Sequence, residues 1–139
     1  MTAIAPFLIA ASAAIFVVLG VIHVRLTYSG PLLLPRDREL RARMDAVSPM
    51  ISRDTTMWSA WQGFNASHGL GLVLFGLVYI DLGLRATDLL AHDVLLQGIG
   101  LVGPLGWVLL AFRHWFNVPQ AGAVLATLLY AAGLVALHA

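Results

Sequence analysis

Two histidines and an asparagine stand in stretches otherwise too apolar to solvate them. His23 lies near the end of one apolar run; Asn65 and His68 lie inside another, TTMWSAWQGFNASHGLGLVLFGLVYI, residues 55–80. An imidazole can ligate a metal, move a proton or hydrogen-bond near neutral pH, whereas a carboxamide hydrogen-bonds without titrating. Within a membrane helix all of them are costly unless they find partners. At about 100° per residue on a helix, Trp58, Trp61, Asn65 and His68 fall on one side, and Leu72, Phe75 and Tyr79 continue the stripe. Gly63, Ser67 and Gly71 recur every fourth residue on another face, a groove for a neighbouring helix.

Three chemistries compete for these residues. In the first, His23, Asn65, Ser67, His68 and Gln120 hydrogen-bond across helices and fix their packing, with the tryptophans in an interfacial belt. That suits a small accessory subunit of a larger membrane complex. In the second, His23, Trp58, Trp61, Asn65, His68 and Gln120 grip the polar head of a quinone, lipid or pigment while apolar residues hold its tail. In the third, His23 and His68 on facing helices are the axial ligands of a haem b, with Gly20 or Gly71 making room for the macrocycle. No second histidine pair lies towards the other membrane face for electron relay, and the same histidines could instead hold a chlorin magnesium. An enzyme is not expected. The chain has no Ser-His-Asp order, phosphate-binding glycine loop or HExxH, and its apolar runs hold no paired carboxylates. Asp37, Glu39, Asp45 and Asp54 read as surface ion-pairing groups; His92, His114 and His138 read as interfacial residues.

The elements that position these residues follow from composition. Of 139 residues, 60% are hydrophobic and 11% charged, more apolar surface than a soluble domain of this size can bury. A span needs about 20 helical residues, and four runs suffice, at about 3–26, 58–81, 92–112 and 117–137. The expectation is therefore a single all-α domain, a transmembrane four-helix bundle over 1–139 in contact with the lipid bilayer. The apolar N-terminal run continues too far for a signal peptide and reads as a retained first span. Ala10, Ala14 and Gly20 offer span one small positions for helix approach, and Pro104 should kink span three.

Ser29-Gly30-Pro31 ends the first span, and Pro35 is expected to open a short amphipathic helix over about 35–47. Asp37–Arg41, Glu39–Arg43 and Arg41–Asp45 are i,i+4 pairs that support it, and Leu40, Met44 and Val47 share an apolar face that suits the membrane surface. Its near balance of acids and arginines favours a solvated connecting helix over one that binds anionic lipid or a partner. Asp54 or Thr55 is the expected cap of span two.

All eight basic residues are arginine. Seven lie on one side of the membrane and Arg85 alone on the other, so the positive-inside rule places the 29–60 loop and the 113–117 turn in the cytoplasm and both termini in the periplasm of a bacterial inner membrane. His23, Asn65, His68, Gln120, Trp58, Trp61 and Trp115 then share one cytoplasm-proximal layer. There is no cysteine, which excludes disulfides and thiolate chemistry, and nothing points to nucleic acid.

With PRDRELRARMDAVSP and MWSAWQGFNASHGLG in view, the chain resembles a family of uncharacterised small bacterial four-span membrane proteins, along nearly its whole length. The resemblance rests on the pattern MWxxWxGFNxSHGxG. It implies the four-span fold and marks Trp58, Trp61, Gly63, Phe64, Asn65, Ser67, His68 and Gly69 as its signature positions. It implies no activity, and leaves open other membrane subunits or self-association as partners.

Overall fold

A computed structural model describes residues 2–139 as six helices and their connections: α1 (Ala5–Tyr28), α2 (Arg38–Ala46), α3 (Met57–Arg85), α4 (Thr87–His92), α5 (Val94–His114) and α6 (Asn117–His138). No strand occurs among the described residues. The four long helices α1, α3, α5 and α6 are each apolar enough to cross a membrane, with mean hydropathies of 2.6, 1.6, 1.9 and 1.8. The all-helical, four-span class is therefore as expected, and so is the single short helix in the first loop. α3 continues past the expected end of span two to Arg85, and α5 runs unbroken through Pro104. The connection between α3 and α5 holds α4.

By its contacts the chain divides into two units, one comprising the chain up to Leu19 together with Leu72–Ala139, the other Gly20–Gly71. The first unit draws on all four long helices. Its core is aromatic: Phe16 of α1, Phe75 of α3 and Trp107 of α5 meet with ring centroids 4.8–5.6 Å apart. Tyr79 of α3 stands edge-on to Tyr130 of α6 at 5.6 Å. Both tyrosines are buried, and each hydroxyl donates to a carbonyl of α5, Tyr79 to Leu96 at 2.6 Å and Tyr130 to Gln97 at 3.4 Å. The buried Ser12 hydroxyl likewise donates to the Ala126 carbonyl at 2.6 Å, tying α1 to α6. An unpaired hydroxyl in an apolar interior is costly, so these bonds select partners as well as adding attraction.

Where α1 meets α3, glycine removes the side chain between them. A Cβ on Gly76 would stand 2.6 Å from the Ala13 carbonyl oxygen and 3.0 Å from Val17 N; one on Gly83 would stand 3.2 Å from the Pro6 carbonyl oxygen. Of the expected small positions Gly20 is buried, while Ala10 and Ala14 are half-buried; Ala13, not among them, is buried.

The second unit contains the end of α1, the first loop with α2, and the start of α3. The turn after α1 has Gly30 at φ +85°, a left-handed conformation that favours glycine. Pro35 does not open α2, which begins at Arg38 with Asp37 as its cap; the carboxylate accepts from Glu39 N at 2.8 Å and Leu40 N at 3.3 Å. This capping replaces the expected Asp37–Arg41 pair, since an acid at an N-terminus satisfies free N–H groups there. The Arg41–Asp45 and Glu39–Arg43 pairs form. At α3 the capping oxygen belongs to Thr56, which accepts from Ser59 N at 3.1 Å, rather than to Asp54 or Thr55. Again a glycine admits α1: a Cβ on Gly69 would stand 3.0 Å from the Gly20 carbonyl oxygen.

The glycine contacts generate a paired prediction. Gly76→Ala forces α1 backbone aside and should destabilise the protein by about 1–3 kcal/mol. Gly98 has open space beside it, so Gly98→Ala should be neutral or stabilising by up to about 1 kcal/mol. Reversible unfolding of both variants in mixed micelles measures the difference.

Candidate functional site

The polar residues converge in the second unit, between the end of α1 and the first turns of α3. His23 precedes the end of α1 by five residues, and Thr27, one turn later, donates its hydroxyl to the His23 carbonyl at 2.8 Å. On α3, Asn65 Nδ2 donates to the Trp61 carbonyl at 2.8 Å, which directs Oδ1 away from its own helix. That oxygen lies 3.1 Å from His23 Nε2, so His23 donates from Nε2 across the helix pair. One turn further, the His68 ring stands edge-on to that of His23, centroids 5.1 Å apart at an interplanar angle of 78°. Among the described residues no buried side-chain nitrogen or oxygen is left without a hydrogen bond.

The tryptophans form a second group, below the histidines on α3. Trp58 is buried and stacks on Trp61, centroids 4.8 Å apart at 16°. The Arg41 guanidinium of α2 lies 3.6 Å over the Trp58 ring. A cation over an indole face is attracted by the ring quadrupole, and this contact joins the loop helix to α3. Met57 N–H also donates to the Val47 carbonyl at 2.8 Å.

Of the six residues singled out from sequence, then, His23, Asn65 and His68 meet, while Trp58 and Trp61 stack on each other. Gln120, in the other unit, is engaged in its own turn: its Nε2 donates to the carbonyls of Trp115 at 3.0 Å and Ala111 at 3.3 Å, capping the end of α5. The expected inward stripe also changes character along its length. Trp58, Leu72 and Tyr79 are buried, but His68 is exposed. The groove of Gly63, Ser67 and Gly71 is exposed too, and the space beside both glycines is open. Phe64, on the same side as His68 one turn earlier, is 76% exposed.

In this conformation the His23 and His68 rings are not spaced to face each other across a macrocycle. An imidazole nitrogen bonds a metal at about 2 Å, so axial ligands face each other across a macrocycle. Here the two rings abut, and His23 Nε2 is held by Asn65. Nor does any cluster of three or more His, Asp or Glu side chains gather among the described residues. Two shallow open depressions are lined by other residues, one by Leu134, Val135, His138 and Ala139, the other by Asp37, Glu39, Leu40 and Arg43.

Sequence reasoning missed the Arg41–Trp58 contact, because charge pairs were sought only within α2. It also passed over Gly69, Gly76 and Gly83 as a set. Their signal is a spacing of seven, matched on α1 by the carbonyls of Gly20, Ala13 and Pro6. Comparison with known proteins finds no matching family model, no matching curated protein and no matching solved structure.

A double-mutant cycle on His23→Ala and Asn65→Ala should give a coupling of about 0.6–1.7 kcal/mol, the range for hydrogen bonds between membrane helices. Unfolding of the four proteins in bicelles measures it, and strict additivity would remove the bond as a determinant of the site.

Proposed function

We propose that this protein is a small non-enzymatic subunit of a larger assembly in a bacterial inner membrane, docking through the outer face of the first half of α3. The observation that carries this reading is the open strip of Gly63, Phe64, Ser67, His68 and Gly71. Taking the stacked tryptophans as the interfacial belt, His68 lies about 10 Å deeper than Trp61 along the helix. The strip at that depth faces hydrocarbon rather than water. A partner helix laid along the glycine and serine positions approaches closely and packs against Phe64 and the His68 ring. The Ser67 hydroxyl, which donates to the Phe64 carbonyl at 3.0 Å, keeps the strip smooth.

The arginine distribution supports an orientation with the 29–60 loop in the cytoplasm and the outer ends of α1 and α6 in the periplasm. Resemblance to the bacterial four-span family is consistent with the same compartment. A lipophilic ligand is the second reading, favoured by Phe64 standing exposed one turn from His68, apolar surface beside a polar head-group contact.

Native mass spectrometry of the protein released from its own membranes in mild detergent separates these readings. The proposal predicts a stoichiometric complex exceeding the 14.9 kDa chain by the mass of another protein. Ser67→Leu, which fills the groove, should release the lone chain, and His68→Ala should weaken the complex while His92→Ala leaves it intact. An added mass of small-molecule size supports the ligand reading. A lone chain from the outset, or equal indifference to all three substitutions, contradicts both.

A further inference from the structure

We propose that the first loop is a sensor of anionic lipid, with Met50 and Ile51 dipping into the membrane interface and Arg36, Arg38 and Arg53 contacting headgroup phosphates. Because α1 and α3 are both span-length helices, the segment from Ser29 to Thr56 emerges at a single membrane face. Its conformation is held. Val47 and Met57 join the ends of a closed loop through a 2.8 Å backbone bond, Ser48 donates to the Arg53 carbonyl at 3.5 Å, and Ser52 N–H donates to the Pro49 carbonyl at 3.3 Å. Arg41 over Trp58 fixes α2 beside this loop. At the tip so formed, Met50 and Ile51 are 104% and 93% exposed. Two adjacent, fully exposed apolar side chains on an ordered tip are poorly suited to water and well suited to the boundary between headgroups and acyl chains.

The charges nearby sort in the same sense. Although the loop is nearly neutral in sum, two of its acids are taken up in the Arg41–Asp45 and Glu39–Arg43 pairs, Asp37 caps α2, and Asp54 receives the Ser52 hydroxyl. Arg36, Arg38 and Arg53 are exposed and have no acidic partner among the described residues. Leu40 and Val47 of the amphipathic face are exposed as well, and no residue of α2 is buried. An apolar tip flanked by uncompensated guanidinium groups complements an anionic bilayer surface, which attracts arginines within a Debye length and offers bidentate acceptors. A protein partner would be the other occupant of such a surface. The position beside two membrane spans, together with the positive charges, favours lipid.

The absence of cysteine makes the test direct. An environment-sensitive fluorophore on Ile51→Cys in the full chain is compared in vesicles of phosphatidylcholine and of phosphatidylcholine mixed with phosphatidylglycerol. The expected result is a blue-shifted emission, quenched by shallow spin-labelled lipid and shielded from aqueous iodide, with both effects greater in the anionic vesicles. Replacing Arg36, Arg38 and Arg53 with Gln should abolish the difference between the two lipids. Equal iodide quenching in both vesicles overturns the proposal, as does an anionic response that survives the triple substitution. Shielding that develops only when a second membrane protein is added also overturns it and assigns the tip to a protein.

Discussion

The structure depends on the close approach of α1 and α3, where glycines of α3 stand against backbone and side chains of α1. Gly69, Gly76 and Gly83 each face an α1 carbonyl oxygen, those of Gly20, Ala13 and Pro6. In lipid, helices gain little hydrophobic free energy by leaving the acyl chains, so attraction must come from dense packing and from hydrogen bonds. Removing three Cβ atoms allows many weak dispersion contacts and brings short side chains within reach. Asn65 is one such side chain. Its amide needs a helix as near as α1 to meet His23 at 3.1 Å.

Much of the fold is legible in the chain, because length and hydropathy alone define spans. The finer features depend on neighbours that periodicity does not name. Gly63, Ser67 and Gly71 have the spacing of a familiar helix-approach motif, yet they face outward, while the seven-residue set Gly69, Gly76 and Gly83 carries the contact with α1. Both patterns coexist on α3, and only the partner helix decides which is buried. Caps moved for a similar reason. Pro35 can begin a helix, but Asp37 can also accept two backbone N–H groups, and that stronger bond sets the start of α2.

The candidate site was legible in part. Depth along two antiparallel spans brings His23 towards Asn65 and His68, and the three do meet. Gln120 has a nearer use, because the short turn between α5 and α6 leaves the carbonyls of Ala111 and Trp115 within its reach. His68 was expected on an inward stripe, but within its unit α1 is the sole long helix packed against α3, and one helix cannot cover the whole stripe. The polar groups thus divide by what they touch. His23 and Asn65 bond each other across the helix pair, whereas His68 and Phe64 lie exposed beside the small-residue groove.

The most direct measurement is the unfolding free energy of Gly69→Ala set against that of Gly71→Ala in mixed micelles. Gly69→Ala should lose about 1–3 kcal/mol, since a Cβ there would lie 3.0 Å from the Gly20 carbonyl oxygen and 3.1 Å from Val24 N. Gly71→Ala should lose nothing, because nothing approaches Gly71. A loss at Gly71 in preference to Gly69 would place α1 on the groove proposed for a partner, and would contradict both the packing and the proposed docking face.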